Sequence, residues 1–266
     1  MRAHPRLLKV VRRRTRKIQK QQPYKQPHQH KQHEFPQKVM KTGQANRCQC
    51  KAGCPYHSMP GRPVCHGHAK QPCHISPVTG YEPSYQPDMW NARTEIRETH
   101  NCFSYALNVN DPKQIAKCKG LKNCNAPFHQ PGAVSGFRRF DNSAPKTCPN
   151  MLARIMGDNP TITFTAFNTK CPANTSKIAL IVDESDDYHF LRQDSNKFWS
   201  HKPGARPVTN VDADGHTIWN PELANFDYTD TGGDLKYDIF CGYMCVPRNK
   251  PLYVKIGGGK TRKLRR

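Results

Sequence analysis

Three residues that lie far apart in the chain carry the side chains needed for nucleophilic catalysis. Cys102 lies near the beginning of the stretch 101–109, where a helix is expected to start. The unpaired amides and the dipole at a helix start favour the thiolate form of a cysteine. His189 and His201 follow on two predicted strands. This order predicts thiol acyl chemistry, in which Cys102 is the nucleophile, His189 is the base and His201 fixes the tautomer of His189. Taken alone, Cys102 also fits a small buried hydrophobic residue.

A second set of residues could hold a metal ion. Its spacing suits a tetrahedral zinc site, and its members are Cys50, Cys54, Cys65 and His68. The alternative is a set of disulfides, for example one between Cys48 and Cys73. With zinc or with disulfides, the role of this segment is structural, because a segment with so few aliphatic residues needs a metal ion or a covalent cross-link to fold. Downstream, Asp212 and Asp214 lack the further acids of a calcium loop, so a turn is predicted there.

The remaining cysteines are dispersed. Cys118 and Cys124 flank a Lys-rich loop and could staple it. Two others, Cys148 and Cys171, could pair elsewhere. The last two, Cys241 and Cys245, share one face of their segment, which suits either the core or a bridge, and the core is favoured. Twelve cysteines in 266 residues do not settle the redox compartment by counting.

The chain has a net charge of +22, and the charge is concentrated at its ends. Residues 1–45 contain 13 Lys and Arg against one acid, and residues 248–266 contain eight against none. These segments are interpreted as an extended basic arm and a basic tail, which bind polyanions or acidic surfaces through charge. Between them we expect a Cys/His-rich knuckle with a Pro- and aromatic-rich wrap over 46–90, and a folded core over 91–247. No run approaches the about 18 apolar residues of a membrane helix, and no leader is expected.

The elements that would position the three catalytic candidates follow from local patterns. A helix is predicted over 149–157, with Pro149 early and Gly157 closing it. Residues 111–135 are predicted as a loop. Strands are predicted over 161–167, 178–183, 188–193, 197–201 and 237–247. A helix followed by an antiparallel sheet is an α+β fold.

Six motifs carry a resemblance to known proteins. They are Cys54–His57, Gly80–Pro83, Asn101–Asn108, Asp187–Asp194, Trp199–Gly204 and Phe240–Pro247. Together they resemble an uncharacterised family from large icosahedral DNA viruses, over roughly residues 47–248. The core also resembles, more loosely, the NlpC/P60 branch of the papain-like fold. The first resemblance implies a virion protein, and the second implies cysteine amidase or peptidase ancestry.

Three functions follow as hypotheses. The first is a minor capsid protein in the virion of a large double-stranded DNA virus, whose arms bind the other capsid proteins around an idle papain-like core. The second is an active cysteine peptidase or amidase in the same particle. The third is a nucleic-acid-binding protein, since the run Arg12–Lys17 could neutralise several phosphates.

Overall fold

The computed structural model describes residues 75–122, 124, 126–140 and 145–257, together with the backbone of 38–39. Its helices are α1 (Pro87–Asn91), α2 (Thr94–Arg97), α3 (Cys102–Ala106), α4 (Pro112–Cys118) and α5 (Cys148–Asp158), with a 3₁₀ turn at Thr229–Thr231. Its strands are β1 (Lys38–Val39), β2 (Thr163–Thr165), β3 (Thr175–Asp183), β4 (Asp187–Gln193), β5 (Trp199–His201) and β6 (Ile239–Pro247). The predicted mixture of α and β structure is confirmed.

The strands form one antiparallel sheet in the order β1-β6-β3-β4-β5, and β2 also pairs with β6. The hairpin between β3 and β4 is closed by the Asp183 carboxylate, which accepts hydrogen bonds from the backbone N–H of Ser185 and Asp186. A short Asp side chain that bonds its own backbone two residues on is a standard turn former. The predicted hairpin is confirmed.

The sheet is buried on both faces. Along β3, Leu180 and Val182 pack against α3 and α5 in what we call the helix-side core. Ala179 and Ile181 point the other way, into a second cluster with Phe226, which we call the loop-side core. Successive side chains of a strand alternate between faces, so burial on both explains the unbroken apolar run in β3.

Three disulfides cross-link the described part of the chain. Cys118 pairs with Cys124, so the predicted loop staple is confirmed. Cys148, the first residue of α5, pairs with Cys241, and Cys171 pairs with Cys245. Cys241 and Cys245 are buried, as predicted for core residues, and they also form bridges, which was the alternative that the sequence left open. They do not share a face of β6: Cys241 belongs to the helix-side core, whereas Cys245 alternates with two residues of that core and points to the other side. Each meets a cysteine from another segment of the chain.

Two predicted boundaries shift. Residues 112–118 form helix α4 instead of a loop, because Asp111 caps it and Pro112 suits a first helical position. Helix α5 continues through Gly157, where an added Cβ would lie 2.8 Å from Ser135 Oγ. This glycine therefore serves close packing and does not end the helix.

The first part of the basic tail lies against the core. The Arg248 guanidinium donates to the carbonyls of Ala106 and Leu107 at 3.0 and 2.8 Å, and Tyr253 exchanges two hydrogen bonds with Asn159. Most of the arm, the knuckle up to residue 74 and residues 258–266 fall outside the described residues. Among the helices that are described, none has the length and apolar character to cross a bilayer.

Candidate functional site

Helix α3 fixes the position of Cys102. The Asn101 side chain caps the helix by accepting a hydrogen bond from the Ser104 N–H at 3.2 Å. Phe103 packs on Phe190 of β4, with ring centroids 5.3 Å apart. Cys102 is thereby buried, and its thiol donates to the Tyr188 carbonyl at 3.9 Å. Among the cysteines that the structure describes, it is the one without a disulfide.

His189 and His201 form a buried pair, as the sequence predicted for a base and its orienting group. Their Nε2 and Nδ1 atoms lie 2.8 Å apart, and His201 Nε2 lies 2.9 Å from the Val211 carbonyl oxygen. A carbonyl only accepts hydrogen bonds, so His201 Nε2 carries the proton and its Nδ1 accepts. His189 Nε2 must then be the donor, and the lone pair of His189 is on Nδ1. His201 therefore sets the tautomer of His189.

Cys102 lies on one side of strand β4, and the two histidines lie on its other side. Tyr188 and Phe190 point into the helix-side core, which contains Cys102. His189 lies between them in sequence and pairs with Ile181, which points into the loop-side core. Its ring lies 5.3 Å from that of Tyr237, a member of the same core. Strand alternation thus separates the predicted nucleophile from the predicted base.

Burial also keeps all three groups uncharged. It raises the pKa of Cys102 to about 12, with a further increase from the negative charge of Asp187. Burial lowers the pKa of His201 to about 4, and burial together with the neighbouring His201 lowers that of His189 well below its ordinary value. The lowered thiol pKa expected at a helix start is therefore not found, because desolvation outweighs the influence of a five-residue helix.

A cavity of about 280 Å³ opens at the start of β4. Both Cys102 and His189 contribute to its lining. Charged groups of both signs, including Lys146 and Asp187, also line it. Asp187 accepts a hydrogen bond from the Tyr237 hydroxyl at 2.8 Å. The cavity could admit a small polar molecule, but it meets the thiol only in its neutral form.

The reactivity of Cys102 gives a direct test of this arrangement. We expect iodoacetamide to alkylate Cys102 in the native protein, at mildly alkaline pH, on the order of 1,000-fold more slowly than in the unfolded chain, because burial depletes the thiolate. The measurement is peptide mass spectrometry of the labelled protein without reductant. Native labelling as fast as in denaturant would instead reveal an activated thiolate and would support catalysis.

Because its histidines are buried, we expect the protein to lose stability in acid. A histidine whose folded pKa is lowered binds fewer protons than the unfolded chain, so stability is full above pH 6.5 and falls as the pH drops towards about 4. For His201 the shift corresponds to about 3 kcal/mol. We expect denaturant titrations across this range to show the loss, and His201→Gln to reduce it. Part of the loss should remain, because burial also lowers the pKa of His100 to about 4.

Two possible metal sites have different outcomes. The zinc set Cys50, Cys54, Cys65 and His68 lies outside the described residues, so zinc stays a prediction. In the described part, Asp212, Asp214 and His216 bring potential ligand atoms within 4.8 Å of one another. However, Asp212 Oδ1 accepts from the backbone N–H of Asp214 and His216 at 3.1 and 2.9 Å. This is the geometry of the predicted turn.

A buried ion pair that the sequence analysis did not single out holds the site together. Arg192 and Asp194 are each 1% exposed and lie 2.9 Å apart. The Arg192 guanidinium also stacks over the Tyr105 ring at 3.9 Å and donates to Asn108 Oδ1 and the Ser84 carbonyl. It therefore connects β4 to α3 and to the wrap. The sequence feature that could have revealed this ion pair is an arginine and an acid at the end of a strand that is otherwise largely apolar.

Comparison with known proteins gives one relationship. The chain is 31% identical to the protein named Insoluble matrix shell protein 1 of the clam Ruditapes philippinarum, over 162 residues. The aligned part is 61% of this chain and 88% of the clam protein. No family model matches the chain, and no solved structure matches it.

This relationship overturns two predictions. A minor capsid protein and a location in the virion were inferred from the viral resemblance, and both are wrong, because the relative is a shell matrix protein. Viral capsid partners are likewise unsupported. The excess of basic residues indicates an acidic partner but carries no information about which assembly provides it.

Proposed function

Since this chain belongs to the same family as Insoluble matrix shell protein 1, we propose that it is a structural protein of an extracellular, mineral-associated matrix. The relationship carries the proposal, because it spans 88% of the clam protein. In this role the core keeps a fixed shape, and its charged surfaces bind other matrix components.

The disulfides support an extracellular setting. Such bonds persist in oxidising compartments and are rare in the cytosol. Two of the three described bridges meet on β6, one from α5 and one from the segment that follows β2. They join parts of the core that are 93 and 74 residues apart in sequence. A protein that must keep its shape outside the cell benefits from such cross-links.

The charge supports attachment to acidic material. With 42 Lys and Arg against 20 Asp and Glu, copies of the chain repel one another and attract polyanions. A matrix protein of this charge would be retained by acidic neighbours more readily than by further copies of itself.

The papain-like core and the hydrolase hypothesis stay predictions. The packing of α3 on β4 agrees with a papain-like arrangement. The positions of the proposed catalytic groups favour a structural role, since Cys102 lies in one core and His189 and His201 lie in the other.

The location of the protein tests the proposal. Mineralised extracellular material from the source organism would be demineralised, washed and separated into soluble and insoluble fractions. We expect mass spectrometry to find the chain in the insoluble fraction, with release requiring both denaturant and reductant. An antibody against the core should stain the same material. Detection inside cells alone would refute the proposal.

A further inference from the structure

Four lysines form an exposed basic surface on α4 and the turn that follows it. They are Lys113, Lys117, Lys119 and Lys122, and all four side chains are exposed. We call this surface the lysine face. Outside the basic arm and the basic tail, the lysine face concentrates four positive charges in ten consecutive residues of the core, 113–122.

The lysine face is held rigid from beneath. The buried Gln114 side chain donates to the Pro127 carbonyl at 2.8 Å. Cys118 is fully buried and closes the turn through its disulfide to Cys124. The Cys124 N–H in turn donates to Glu98 Oε2 at 2.7 Å. A charged surface on a fixed scaffold loses less conformational entropy on binding than a free charged tail.

The nearby acids are already engaged. Asp111 accepts from the Lys113 backbone N–H and from His129 Nε2, at 2.9 and 3.1 Å. Glu98 lies between the Cys124 N–H and the Arg97 guanidinium. Within the described residues, none of the four lysines forms a salt bridge, and Lys117 Nζ donates to the neutral Gln114 amide. The positive charge of the surface is therefore uncompensated.

The spacing of the lysines suits an extended acidic polypeptide. Lys113 and Lys117 are four residues apart on a helix, which corresponds to about 6 Å along its axis. In an extended chain, side chains on the same side repeat about every 6.6 Å. Alternate carboxylates of such a chain could then meet successive lysines. A second copy of this protein is disfavoured, because two chains of charge +22 repel each other.

We propose that the lysine face is a binding surface for an extended polypeptide rich in Asp and Glu. The proposal rests on the matrix function only for where such a partner would be met. Binding is electrostatic, so it should weaken as salt is added. It can be measured in solution regardless of where the protein is found, so its failure is distinguishable from failure of the matrix proposal.

The test compares two variants of the full chain that lose the same charge. In the first, the four lysines of the lysine face are replaced by glutamine. In the second, the same replacement is made at four exposed basic residues elsewhere in the core, namely Arg138, Lys170, Lys197 and Arg206. Both keep the basic arm and tail, so the background binding by these segments is constant. Thermal melting confirms that each variant is folded.

Fluorescence anisotropy with a labelled short polyaspartate peptide gives the affinities. We expect the lysine-face variant to bind about tenfold more weakly, from the sum of four modest exposed ion pairs. The control variant should lose much less, because dispersed charges are screened from a short ligand. Equal losses in the two variants would show that only net charge matters and would overturn the proposal. A selective loss of heparin binding, with polyaspartate binding intact, would overturn the choice of an acidic polypeptide.

Discussion

Replacing Arg192 by methionine should lower the free energy of unfolding by about 3–5 kcal/mol, the largest effect we expect from one substitution. The methionine leaves the Asp194 carboxylate 1% exposed and without its guanidinium partner. It also removes the stacking on Tyr105 and the donors to Asn108 and the Ser84 carbonyl. Denaturant unfolding followed by circular dichroism measures the loss.

Two further variants separate the charge from the packing. Adding Asp194→Asn to Arg192→Met should restore part of the stability, because the buried negative charge is removed. Arg206→Met, at an exposed arginine, should change stability by less than about 0.5 kcal/mol. If Arg192→Met costs no more than Arg206→Met, the pair is solvated and does not organise the core.

Removing the disulfide between Cys148 and Cys241, by replacing both with alanine, should cost about 4 kcal/mol. The cost comes largely from the unfolded chain, which the bridge restricts by closing a loop of 93 residues. Equilibrium unfolding without reductant measures it.

The bridge between Cys118 and Cys124 provides an internal control. It closes a loop of only six residues, so replacing both cysteines with alanine should cost less, about 2 kcal/mol. This variant should also disturb the lysine face more than the rest of the fold. Equal losses for the two disulfides would contradict the dependence on loop length.

Local signals in the sequence were sufficient for α5 and the long strands, but they missed α4 and did not show which side of the sheet each side chain faces. Pro149 marked the start of α5, and the acids between β3 and β4 marked a turn, because both features act on the neighbouring backbone. The side of the sheet towards which His189 points could not be predicted from such local signals. Its strand is buried on both sides, so β4 has no polar–apolar alternation from which the orientation could be taken. The order of Cys102, His189 and His201 in the sequence was therefore compatible with a catalytic site. In the structure, strand alternation places the cysteine on one side of the sheet and the histidines on the other.

Cysteine pairing was beyond the sequence for a related reason. Cys118 and Cys124 were paired correctly because a short loop allows few partners. Cys241 could meet Cys148 only once α5 was packed on β6, and that contact depends on the whole sheet. Composition had a comparable limit. It indicated an acidic partner, but the relationship to a shell matrix protein was needed to overturn the capsid interpretation.

The two bridges that meet on β6 have a mechanical consequence. If the protein is pulled by its two ends, the force passes from residue 148 directly to 241 through the sulfur atoms. The residues enclosed by that bridge, including β3, β4 and β5, carry no tension. The bridge therefore reduces the maximum end-to-end length of the pulled chain by on the order of 300 Å. In a brittle mineral composite, such a chain would act as a short, stiff tether.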